Sequence, residues 1–152
     1  MSERFGKLPF RELFEPAIRY AREGFVVSAT VSELWKDAGV STFAPFRGNP
    51  EFDEWFKVFT KDGCAPRAGE IWFLPDHADT LQEIAETGAE SFYHGSLADR
   101  MDCSMREMGG WLRKEDLDQF EVEWVNPISV NYHGYEVCEI PQIGQGIIAL
   151  MP

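Results

Sequence analysis

The sequence predicts an α+β fold made mainly of short α-helices, with a small antiparallel β-hairpin near the C-terminus. Three observations carry this. Apolar residues recur at helical spacing in short runs, most of those runs are closed by a glycine, and after Pro127 the period changes to alternation. A chain of 152 residues, 44% of them hydrophobic, has material for one core and is short for two. Residues 1–152 therefore read as a single domain, with a candidate subdomain boundary at 61–70, where Gly, Pro and Asp collect.

The elements follow in order. Leu13, Ala17, Tyr20 and Ala21 share a helical face, and Gly24 supplies the stop. Pro16, which lacks an N–H, either kinks this segment or begins its second part. Ser28 is the expected cap of a helix carrying Val31, Leu34, Trp35 and Ala38 on one face and ending at Gly39. Residues 41–48 read as a loop. Asn49-Pro50 then gives a start signal, and Phe52, Trp55, Phe56 and Phe59 follow at i, i+3, i+4 and i+7 as an aromatic stripe for core packing or for docking onto missing parts of a parent. Asp76 is the expected cap of a helix bearing Ala78, Leu81, Ile84 and Ala85, closed by Gly88. Phe92-Tyr93 forms one buried turn. Ser96 opens a helix whose Leu97, Met101, Met105 and Met108 line one side before Gly109, and a short turn of helix surrounds Glu115-Asp116-Leu117. Ile128, Val130 and Tyr132 then share a strand face, His133-Gly134 makes the connection, and Tyr135 and Val137 begin the return.

Charge and cysteine usage exclude several functions. A formal charge of −12 offers no clustered Lys and Arg to displace counterions, which argues against nucleic acid and anionic membranes as partners. Cys64, Cys103 and Cys138 are odd in number and outside any C-x-x-C pair, so neither a disulfide framework nor a zinc ribbon is indicated. The first residues have no apolar core of a leader, and no run of about 18 apolar residues occurs, so the chain as given is consistent with a cytoplasmic setting.

No constellation nominates a catalytic, cofactor-binding or metal site. Gly144-Gln145-Gly146 with Ala149 mimics a dinucleotide fingerprint, but the helix, second strand and acidic residue that must follow are missing. His77 stands between Asp76 and Asp79, where acids at a helix start serve the helix dipole rather than an ion. Glu115 and Asp116 are adjacent on a helix and diverge, so they do not share a proton. No G-x-S-x-G elbow is present.

Motifs in a fixed order say more. Leu13-Phe14, Pro16-Ala17-Ile18 and Ala21-Arg22-Glu23-Gly24-Phe25 come first; Thr80-Leu81, Ile84-Ala85 and Gly88 follow, then Phe92-Tyr93-His94-Gly95, Gly109-Gly110, Glu115-Asp116-Leu117, Pro127, Tyr132-His133-Gly134-Tyr135, Pro141 and Gly146. Together they resemble the γ-glutamyltransferase (γ-glutamyl transpeptidase) family, over the later half of its large subunit. The resemblance implies the scaffold portion of an N-terminal-nucleophile hydrolase, in which a Thr freed by self-cleavage attacks a γ-glutamyl amide with its own α-amino group as base. It implies no metal or organic cofactor, and glutathione-type substrates. The family's nucleophile lies after the equivalent of Gly146, and its carboxylate-gripping Arg before the start of this chain. None of Thr30, Thr42, Thr60, Thr80 or Thr87 stands in the nucleophile's context, so no catalytic residue is carried over. Two departures mark a divergent branch: the family's Pro-Pro-x-Ser-Ser-Gly-Gly is Pro141-Gln142-Ile143-Gly144-Gln145-Gly146, and Arg113 replaces a capping hydroxyl.

Two functions are therefore expected. The first is a part of a γ-glutamyltransferase-like enzyme that is inactive alone; the alternative is a free-standing, non-catalytic interaction module of the same descent. Both leave apolar faces uncovered, at Phe52, Trp55, Phe59, Ile147 and Ile148, and so predict self-association or docking of the missing catalytic half.

Overall fold

A computed structural model of the chain describes residues 1–141 and 144–151, apart from the side chain of Ala38. The expected roles of Ala38, Gln142 and Ile143 lie outside what is described. The backbone falls into two compact units, Met1–Gln119 and Phe120–Pro152. The stretch 61–70 lies inside the first.

In the first unit the short helix α1 (Ser2–Phe5) and a 3₁₀ turn at Phe10–Leu13 precede α2 (Glu15–Glu23), so Pro16 begins a helix rather than kinking one. Helix α2 packs on α5 (Pro75–Thr87). Ile18 and Ala21 meet Ala78 and Ala85, with Phe14, Leu74 and Leu81 closing around them. Small alanines on facing helices let the backbones approach, and Ala78 has no exposed surface. Gly88 stops α5 as expected, but Asp76 does not cap it: Leu74 holds the cap position and Pro75 the first turn. Proline's missing N–H suits a position whose N–H has no partner in the helix.

Between these helices a strand pair, absent from the sequence reading, joins β1 (Phe25–Val26) to β2 (Ile71–Trp72) in antiparallel register, Phe25 opposite Trp72. Gly24 enters β1 at φ +89°, and a Cβ there would meet the Ile71 side chain at 2.5 Å and Phe73 at 2.8 Å, so only glycine fits. Val27 continues the pairing through bonds with Glu70 and Gly69 and is almost fully buried.

Ser28 caps α3 (Ala29–Leu34) by accepting the Val31 N–H at 3.2 Å. The helix does not end at Gly39; it widens into a π-helical turn over Trp35–Ser41. Two bonds hold the widened turn, Trp35 Nε1 donating to the Phe59 carbonyl at 3.0 Å and Ser41 Oγ to the Lys36 carbonyl at 2.9 Å. Asn49 caps a turn at Pro50–Phe52 that runs into α4 (Asp53–Phe59). Phe52, Trp55 and Phe59 are half-buried, with Phe43 against Trp55 at 4.3 Å and Phe46 stacked on Phe52 at 4.5 Å. This stripe is packed within the unit rather than left bare, because its neighbours in space come from residues 41–48, which are not the expected loop but continue helically into a 3₁₀ turn at Ala44–Phe46, as Pro45 in its first turn allows.

Helices α6 (Glu90–Tyr93), α7 (Ser96–Glu107) and α8 (Lys114–Asp118) complete the first unit. The methionine side of α7 runs outward, from buried Leu97 through half-buried Met101 and Met105 to exposed Met108. The second unit contains the expected hairpin, β3 (Ile128–Tyr132) and β4 (Tyr135–Glu139), with Tyr132 opposite Tyr135, and ends in the four-residue α9 (Gly146–Ala149). His133 and Gly134 both have positive φ, the geometry of a two-residue type I′ connection. Ile147 and Ile148 are exposed. Because β4 pairs antiparallel with β3, the Gly-Gln-Gly segment does not follow a parallel βαβ strand.

Candidate functional site

The densest polar constellation sits where α5, α6 and α7 meet, and none of it was nominated from sequence. Glu83, in the middle of α5, accepts hydrogen bonds from the Ser91 and Ser96 hydroxyls and from Arg100 Nη2, the last at 2.9 Å. Ser91 is buried, at 5% exposed. Its N–H donates to Thr87 Oγ1 at 3.2 Å and its own oxygen accepts the Leu97 N–H at 3.3 Å. The reversal that brings α6 back over α5 uses Gly88 and Ala89, both with positive φ. The Ser91 hydroxyl first and then that of Ser96 hold the Glu83 carboxyl below its ordinary value; burial opposes them, and Arg100 adds less than burial takes away.

A shallow depression of about 360 Å³ lies over this junction, lined by Glu83, Thr87, Glu90, Ser91, His94 and Ser96. His94 Nδ1 pairs with Asp118 Oδ1 at 2.6 Å, so Ser96, His94 and Asp118 have the composition of a catalytic triad. The protons decide otherwise. Each serine has one hydroxyl proton, and both are donated to Glu83, a carboxylate that Arg100 already neutralises. That geometry fastens three helices together; it activates neither oxygen.

Helix α8 is fastened in the same way. Lys114 reaches Asp99 of α7 at 2.6 Å; within α7 itself Arg106 holds Asp102 at 2.8 Å, and that bond is the chief cause that lowers the Asp102 pKa. Where a hydroxyl cap was expected, the Asp116 carboxylate accepts the Arg113 N–H at 2.8 Å, half of a capping box. A guanidinium has no acceptor, so the other half is missing; Arg113 Nη1 instead donates to the Gly110 and Leu112 carbonyls.

The remaining candidates stay apart. The His77 ring sits edge-on to Phe59, Asp79 pairs with Arg22 at 2.8 Å, and no group of three or more His, Cys, Asp or Glu able to hold a metal occurs among the described residues. Cys64, Cys103 and Cys138 are free and exposed, and the Glu107 carboxylate beside Cys103 pushes that thiol's pKa up. Thr60 and Thr87 donate their hydroxyls to the carbonyls of Phe56 and Glu83, within their own helical turns. No helix among the described residues is long and apolar enough to cross a membrane.

Comparison with known proteins places this scaffold. The family model described as gamma-glutamyltranspeptidase matches residues 1–152. The chain belongs to that family, and what it matches is a part of the family's large subunit. It is 36% identical to the glutathione hydrolase proenzyme of Pseudomonas aeruginosa over 97% of its own length and 25% of the relative's. It is 36% identical to glutathione hydrolase proenzyme 1 of Schizosaccharomyces pombe over 95% of its length and 22% of the relative's. Among solved structures, cephalosporin acylase from Bacillus halodurans matches with a TM-score of 0.91 and 44% identity, over 97% of this chain and 27% of that one. The Helicobacter pylori gamma-glutamyltranspeptidase matches with a TM-score of 0.83 and 28% identity, over 96% and 40%. The chain thus spans about a quarter of the length of the curated relatives it matches. The helix-rich fold with its small antiparallel pairs is the scaffold of N-terminal-nucleophile hydrolases of this type.

Proposed function

We propose that this chain is the scaffold portion of a γ-glutamyltransferase-like enzyme and is inactive by itself. The whole enzyme transfers or hydrolyses γ-glutamyl groups by attack of an N-terminal Thr that this chain does not carry. One observation supports the reading above all: the family match fills the chain, while the chain fills only about a quarter of the glutathione hydrolases it resembles. The bonding of Glu83, Ser91 and Ser96 agrees with it, since the best polar cluster is spent on holding helices. Its partner is the catalytic portion of the same enzyme. Without that portion, exposed Ile147 and Ile148 are expected to drive self-association, measurable by light scattering and reversed when the catalytic portion is supplied.

A second substrate class has specific support. The 44% identity to a cephalosporin acylase supports, as the second reading, amides other than γ-glutamyl ones as substrates of the whole enzyme. The test is turnover of γ-glutamyl-p-nitroanilide and of a cephalosporin side-chain amide, by the chain alone and by the chain joined to a catalytic portion. The joined protein is expected to turn over one of them and the chain alone neither. Turnover by the chain alone would overturn the proposal.

A further inference from the structure

The second unit has no buried residue among its described positions. Its order rests on a two-stranded hairpin, which is marginal in water by itself. The hairpin is sharply two-faced. In the observed register Val130 lies opposite Val137 and Tyr132 opposite Tyr135, all on one face. Ser129, Asn131, Glu136 and Cys138 occupy the other, where Ser129 Oγ donates to Glu136 at 2.7 Å. The apolar face is open: Val130 is 37%, Val137 41%, Tyr132 64% and Tyr135 78% exposed. Alternation of this kind suits a sheet with one face on a core and one in water.

We infer that the Val130/Val137/Tyr132/Tyr135 face is a docking surface for the catalytic portion of the enzyme, and that the Ser129/Cys138 face stays in solvent. This rests on the function proposed above. The choice of occupant follows from coverage: the backbone matches the B. halodurans acylase over 97% of its length, yet that chain carries nearly three times as much further polypeptide. A hairpin that cannot bury its own apolar face, found in the same conformation within much longer chains, is covered by what those chains add. The required partner surface is mainly apolar: beside the two valines and two tyrosines the face carries Ile128 opposite Glu139, whose carboxylate stands at the end of the hairpin away from the turn.

The two faces alternate residue by residue, so adjacent substitutions separate them. The test uses the full chain and, as partner, the part of the B. halodurans acylase outside the matched region, with association followed by sedimentation velocity. Val137→Lys is expected to weaken association about 30-fold or more, and Cys138→Lys to change it within about threefold. Val130→Lys, across the strand pair, must reproduce Val137→Lys, and unchanged denaturation curves of the lone variants show that folding is not the cause. In the complex Cys138 is expected to remain reactive to maleimide. Equal effects on both faces, loss of Cys138 reactivity, a second copy of the chain occupying the face, or no association of the unaltered chain would each overturn the inference. Association is read without turnover, so an inactive complex that obeys this pattern contradicts the proposed function and leaves the docking surface standing.

Discussion

The two units of this molecule are built on opposite terms. Met1–Gln119 encloses its own core, with Ile18, Ala21, Ala78 and Ala85 between two helices and Val27 and Trp72 on the strand pair, and its polar groups are spent in fastening α5, α6, α7 and α8. Phe120–Pro152 has regular backbone pairing and buries none of its described residues. The described order of the second unit leans on backbone pairing, and a net contribution of about 1 kcal/mol per bond is a poor substitute for apolar burial. The difference teaches that one chain can hold both a region that encloses its own core and a region with regular pairing and no buried described residue, which fits the docking surface proposed above.

Substitutions can break this contrast. The largest effect is expected from Ile18→Ala, which opens a cavity in the α2–α5 core and costs about 3 kcal/mol, read by urea denaturation. Next comes Glu83→Gln, which leaves the serine and Arg100 donors facing an amide. The folded-state pKa of Glu83 lies below its unfolded value, so its carboxylate stabilises the fold above the unfolded value, and that stabilisation disappears as pH falls through the lowered one. Glu83→Gln is therefore expected to lower stability at neutral pH and to flatten the acid limb of a stability profile, to which Glu70 and Asp102 contribute in the same sense. Ser28→Ala removes a cap and is expected to cost about 1 kcal/mol. Smallest is Val137→Ala, expected to change the lone chain by less than about 0.5 kcal/mol because the residue is already 41% exposed. A Val137→Ala cost as large as that of Ile18→Ala would erase the contrast between the units.

Local signals made much of the fold legible. Ser28, Asn49-Pro50, Gly88 and His133-Gly134 each act on the few residues around them, and each stands in the structure where the sequence places it. What escaped was non-local. Phe25 finds Trp72 across a long stretch of chain, and the π-helical turn after α3 depends on the Phe59 carbonyl that Trp35 reaches. The Glu83 cluster draws on α5, α6 and α7, and the only local hint of it was Thr87 and Ser91 following Glu83 at four-residue steps. Asp76 was misread because an acid in a first turn looks the same from sequence whether or not it is the cap. The family likeness succeeded where site reasoning had nothing to find, because its motifs are turns and helix ends of a scaffold.

Hydrogen exchange on the isolated chain tests the contrast most directly. Amides of α5 around Ala78 and Ala85 are expected to exchange only through unfolding of the first unit, and those of 128–139 to exchange orders of magnitude faster, through local opening. Equal protection in the two regions would contradict the account, since it would mean that the hairpin is already held by a core within this chain.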